Sequence, residues 1–288
     1  MSGFIATPHS SAMRETQSAQ LNRIGNDHFS RGFYTEAFNC YALALESDRK
    51  SGDPRALVAT LGNLGNICAV SGRREKAQTF YQEVLELQKT LGDHRGISTT
   101  LGNLGNLHVD AGEWERGRAY YLEALDMMHQ CGADDAAKAV LLSDLGLVAK
   151  ETGSFPEAKA YYEQSLVLMR RVENASGQAD VFRMLARLFL AWKRHDDALA
   201  CLQTSLALAQ RLRDELRMGG AWYLLARYHE DVGNIEEAAA HLERVIRVDK
   251  KYELPKLEEN MQRLETMRAR LVDPIVTQAS SSGIQAHG

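Results

Sequence analysis

From about residue 18 to residue 258 the apolar residues recur at intervals of three and four, the spacing of one face of an α-helix, and nowhere alternate with period two over a strand length. The five prolines, at 8, 54, 156, 255 and 274, need not lie in a helix interior. The pattern predicts an all-α chain. It also repeats. Gly25, Gly65, Gly105 and Gly146, then Ala186 and Ala226, follow one another at steps of 40, 40, 41, 40 and 40 residues. Twelve residues after each comes a second small side chain: Ala37, Ala77, Gly117, Ala158, Ala198, Ala238. Four further on comes a large one: Tyr41, Tyr81, Tyr121, Tyr162, Leu202, Leu242.

Each unit reads as a helix, a tight turn and a second helix, with small residues letting the two helices approach. Gly32, Gly72, Gly112, Gly153 and Gly233 suit a left-handed turn at the end of the first helix. Between units, "SGDPRA", "LGDHRG" and "CGADDA" place Gly after one helix and Asp before the next, where it can cap.

Small residue, small residue twelve on, ring four further: the pattern resembles the tetratricopeptide repeat (TPR). The usual period of that repeat is about 34 residues. A period of 40 is similar to the LGN/Pins and kinesin-light-chain type. The doubled "LGNLGN" and the "GD" linkers look most like LGN/Pins; Gly117, Ala186 and Ala226 depart from that pattern. The resemblance covers six units at about 18–57, 58–97, 98–138, 139–178, 179–218 and 219–258. It implies a right-handed α-solenoid whose first helices line a concave groove. Residues 254–272 form one more amphipathic helix, with Leu257, Met261, Leu264, Met267 and Leu271 on one stripe, placed to cap the array. Residues 1–15 and 273–288 are expected to be disordered.

Composition narrows the function. A net charge of −4 supplies no general attraction to nucleic acid or anionic lipid. Cys40, Cys68, Cys131 and Cys201 form no CxxC pair and suit a reducing, cytoplasmic setting. No secretory h-region follows the N-terminus, and no apolar run approaches the length of a membrane helix. No catalytic or phosphate-binding motif appears, and no cofactor or metal is expected. His28, His108 and His229 share one slot, but it lies on the packed stripe with Leu21, Ile24 and Gly25.

The groove slots of the first helices are the candidate site. They hold Asn22, Arg23 and Asn26; Gly62, Asn63 and Asn66; Gly102, Asn103 and Asn106; Ser143, Asp144 and Leu147; Arg183 and Arg187; Tyr223 and Arg227. Each Asn costs about 0.5 kcal/mol of helix propensity against Ala, and Gly about 1. A carboxamide offers donor and acceptor together, matching a peptide unit, and absent side chains at Gly62 and Gly102 open the groove floor. Arg183, Arg187 and Arg227 can fork onto carboxylates. The competing reading pairs them internally with Asp144, Asp180 or Glu230. The row is similar to that of the LGN/Pins type, whose asparagine ladders bind extended partner segments. The carboxylate-clamp pattern fails: its slots hold Asn22, Asn26, Asn63, Thr99 and Asn103, without the basic residues. The expectation is a non-enzymatic scaffold that holds an extended, acidic peptide of a partner protein. The alternatives are a self-assembling scaffold and a peptide-sensing regulator.

Overall fold

In the computed structural model, residues 16–132 and 134–272 are described; the expectations for the two ends lie outside them. Among the described residues there are thirteen α-helices and no strand, an all-α helical-repeat solenoid. The helices divide between two compact units, which meet in sequence at Gly132 and Ala133.

The first unit holds α1 (Gln17–Ser30), α2 (Tyr34–Ser51), α3 (Pro54–Val70), α4 (Arg74–Leu91), α5 (His94–Val109) and α6 (Trp114–Gln130). The second holds α7 (Asp135–Glu151), α8 (Phe155–Arg171), α9 (Ala175–Ala191), α10 (His195–Leu212), α11 (Glu215–Asp231), α12 (Ile235–Tyr252) and α13 (Leu257–Val272).

The first helix of every pair begins on a side-chain cap: Thr16, Asp53, Asp93, Asp134, Asn174 and Asp214 each accept from a backbone N–H of the first turn. Such caps satisfy donors that a helix start leaves open. The turn inside each pair is tight and left-handed. Gly72 takes φ 70° there, while the fifth pair places Lys193 at φ 60°, a conformation that costs a side chain more than it costs glycine.

The pairs are held by close contact at the small residues. A Cβ added to Gly25, Gly65, Gly105 or Gly146 would stand 2.4–2.6 Å from a ring carbon of Tyr41, Tyr81, Tyr121 or Tyr162. Glycine is therefore required wherever the second helix brings a tyrosine. Where that helix brings Leu202 or Leu242 instead, the partner is Ala186 or Ala226, and all four are fully buried.

Within each unit, successive pairs are joined through the last turn of the second helix. Its inward slot holds Asp48 and Gln88 in the first unit and Met169, Ala209 and Asp249 in the second, all buried. The polar ones are matched from the next helix: Thr60 donates to Asp48 at 2.6 Å, Thr100 to Gln88 at 2.8 Å, and Asn260 to Asp249 at 2.7 Å. Buried polar groups need such partners. The Asn260 contact fastens α13 to α12, together with buried Leu264 and Met267; Leu271 is left exposed. At the other end Ile24 of α1 is 36% exposed.

Candidate functional site

In the first unit the candidate residues stand on α1, α3 and α5 at matching slots. Asn26, Asn66 and Asn106 are exposed, while Asn22, Asn63, Asn103, Gly62 and Gly102 are half-buried. Each exposed asparagine has a partner within its own pair. Tyr41, Tyr81 and Tyr121 donate their phenol hydrogens to the Oδ1 of Asn26, Asn66 and Asn106 at 2.7, 2.8 and 2.5 Å. The rings are 2–3% exposed, and burial pushes the Tyr81 phenol up to about 12. For Tyr41 and Tyr81 the asparagine oxygen is the one acceptor of the hydroxyl among the described residues. Turning the carboxamide over would leave a buried O–H without an acceptor, at about 1–3 kcal/mol. The oxygen is thus held inward and the Nδ2 hydrogens point away from the ring.

A second row is wired between α1 and α3. Asn22 Nδ2 donates to Thr60 Oγ1 at 2.6 Å and to the Ser18 carbonyl at 3.2 Å, and Asn22 Oδ1 accepts from Asn63 Nδ2 at 3.0 Å. Asn22 spends both Nδ2 hydrogens on neighbours and its oxygen accepts from Asn63, so it positions Asn63. Through Thr60 the chain of bonds ends on buried Asp48. Asn63 keeps its oxygen and one N–H, and Asn103 carries no side-chain hydrogen bond among the described residues. Between α1 and α3 lies an open cleft of about 510 Å³, lined by Asn22, Arg23, Asn26, Ala56, Ala59 and Asn63. A Cβ at Gly62 or Gly102 would meet nothing within 4 Å. These glycines, unlike Gly65 and Gly105, are required by no contact among the described residues.

The second unit is arranged differently. Ser143 turns inward, bonded to Ser165 and the Ala139 carbonyl. Arg183 pairs with Asp180 at 3.2 Å, and Asp180 also takes Arg217 at 2.9 Å. Glu230 is engaged by Arg263 of α13. Arg187 and Arg227 remain exposed, with no hydrogen bond or ion pair among the described residues. They occupy the same slot on α9 and α11. Tyr223 beside them lies under Arg263 and Lys256, at 5.2 and 5.8 Å from the ring centre. Of the three arginines whose pairing the sequence leaves open, Arg183 is tied to Asp180, and Arg187 and Arg227 have no such partner among the described residues.

Asp144 stands on α7 in the slot that holds Asn63 and Asn103 in earlier repeats. Burial pushes its carboxyl up from 3.8 to about 7. Between pH 4 and pH 7 the folded chain keeps this proton while the unfolded chain has lost it, so stability falls as pH rises through that window and is flat above it. One side of the group is open, which reduces the effect to on the order of 2 kcal/mol. In urea unfolding, Asp144→Asn should match the parent near pH 4 and exceed it by that amount at pH 8. Equal stability of the two at both pH values would exclude a buried acid here.

The tyrosine partnership is the part of the site that sequence reasoning missed. Its signal is a paired substitution fifteen residues apart. Asn stands with Tyr in the first three repeats, and Arg187 and Arg227 stand with Leu202 and Leu242 in the last two.

The tetratricopeptide repeat model matches residues 15–90, 56–128, 96–171, 138–211 and 177–251. Among curated proteins, none matches the sequence. Many solved structures share the fold. BtubC (BKLC) from P. vanneervenii is 21% identical at a TM-score of 0.66, with 75% of this chain and 91% of that one covered. A signal transduction ATPase (STAND) protein with a tetratricopeptide repeat sensor, from Pyrococcus horikoshii, gives 13% and 0.72, covering 91% of this chain and 43% of that one. A Rap protein complexed with competence and sporulation factor gives 13% and 0.63, covering 89% and 76%. At these identities the likeness is one of fold. No helix among the described residues is long and apolar enough to cross a membrane.

Proposed function

The chain belongs to the tetratricopeptide repeat family, and from that premise we propose that it is a protein–protein interaction scaffold, without catalysis of its own, that binds an extended segment of a partner protein. The binding face is that of α1, α3 and α5. The observation that carries this reading is the repetition of an outward carboxamide at Asn26, Asn66 and Asn106, beside glycines at 62 and 102 that open onto empty space. Both features cost helix stability, and no contact among the described residues accounts for the two glycines. Single hydrogen bonds to such a row contribute about 0.5–1.5 kcal/mol each, so several rungs act together. In the second unit Arg187 and Arg227 are exposed forks with no acid partner among the described residues, suited to carboxylates of a partner. That favours an acidic segment.

The test uses 12-residue peptides selected from a random display library on the full-length chain. The variant Asn63→Ala/Asn103→Ala removes two carboxamides that support no tyrosine. It should unfold within about 1 kcal/mol of the parent, while the selected peptides bind it at least about tenfold more weakly. Undiminished binding would remove these asparagines from the site.

A further inference from the structure

We propose that the row formed by Asn26, Asn66 and Asn106 reads in one direction: it donates hydrogen bonds to the backbone carbonyls of a partner segment lying in polyproline II conformation, one rung for every three residues. This rests on the peptide-binding reading above and specifies the ligand's form.

The direction of the row follows from the tyrosines. A free carboxamide can both donate to a peptide carbonyl and accept from a peptide N–H. Here the phenols of Tyr41, Tyr81 and Tyr121 each donate to one of the three oxygens and hold it inward. The groups facing outward are the Nδ2 hydrogens, which require acceptors. Neutral donors of this kind match neutral carbonyl oxygens.

The register follows from the repeat. The three carboxamides sit at one slot on successive first helices, and α1 is adjacent to α3, since Asn22 bonds both Thr60 and Asn63. Packed helices lie about 8–10 Å apart, which sets the spacing of the rungs. In a β-strand, carbonyls on one side recur every two residues, roughly 6.6 Å, out of step with the row. In polyproline II, carbonyls on one side recur every three residues, roughly 9.3 Å, in step with it. That conformation leaves its backbone polar groups free of internal bonds. The open floor at Gly62 and Gly102 lets such a backbone approach. A segment whose N–H groups are not read also tolerates proline. The occupant is therefore a proline-tolerant, irregular stretch of a partner chain rather than an added strand or a helix.

The experiment scans the backbone of the library-selected 12-residue peptides against the full-length chain. Peptides are kept whose binding falls at least tenfold in the variant Gly62→Ala/Gly102→Ala. Each is N-methylated at successive residues, which removes an N–H, and in a second series carries single amide-to-ester replacements, which weaken a carbonyl. N-methylation should change Kd by less than about threefold throughout, and ester replacement should cost about fivefold at every third residue. Losses of tenfold or more on N-methylation at alternate residues would overturn the one-way, three-residue register while leaving the face a peptide site. If no selected peptide is sensitive to the glycine variant, the peptide-binding reading falls and this one with it.

Discussion

Gly65→Ala should destabilise the chain by about 3 kcal/mol in urea unfolding, a large effect for one methyl group. The added Cβ would lie 2.5 Å from Cε1 of Tyr81. The ring cannot swing aside freely, because its hydroxyl is bonded to Asn66 and it is almost wholly buried. Tyr81→Leu alone should cost a similar amount, through the space it leaves and the lost hydrogen bond. The double variant Gly65→Ala/Tyr81→Leu recreates the Ala186–Leu202 and Ala226–Leu242 pairs that the last two repeats already use. It should recover about 2 kcal/mol or more relative to the sum of the single changes. Simple additivity would mean that Gly65 and Tyr81 do not define one packing unit.

The second large effect has the opposite sign for stability. Gly62→Ala together with Gly102→Ala should stabilise the chain by about 2 kcal/mol, since each glycine costs about 1 in a helix and neither new Cβ meets an atom. The same pair should weaken peptide binding tenfold or more, because the methyl groups occupy the space through which a backbone approaches. Thermal unfolding and a peptide titration on one protein sample read both changes. A stabilised variant with unaltered binding would place the segment elsewhere.

These two glycine pairs show what was legible in the sequence. "TLGNLGN" carries Gly62 and Gly65, or Gly102 and Gly105, three residues apart. The forty-residue frame assigns the second glycine to packing and the first to the open face, because Gly62 and Asn66, like Gly102 and Asn106, stand four residues apart and share one side of the helix. Helical periodicity and the frame together specify the pairs of helices, their turns and the face of the first helices.

What the frame could not supply is the state of each polar group. The bonds of Asn66 to Tyr81 and of Arg217 to Asp180 join residues 15 and 37 apart. They depend on side-chain reach across a packed interface, not on periodicity. The pairing of Arg183 with Asp180, three residues apart on one helix, was among the expected possibilities because spacing alone permits it. The difference matters for experiment. Removing Asn26 or Asn66 strips a buried tyrosine of its acceptor, so those substitutions mix folding with binding. Asn63 and Asn103 separate the two.

The most direct observation is of the carboxamide N–H groups themselves. In side-chain 15N–1H spectra of the full-length chain, the Nδ2 signals of Asn26, Asn66 and Asn106 are assigned by single substitution and followed as a selected 12-residue peptide is added. The account predicts that all three shift and saturate together as the peptide fills the face of α1, α3 and α5. Saturated binding that leaves these three signals in place, while signals of the second unit move, would contradict it.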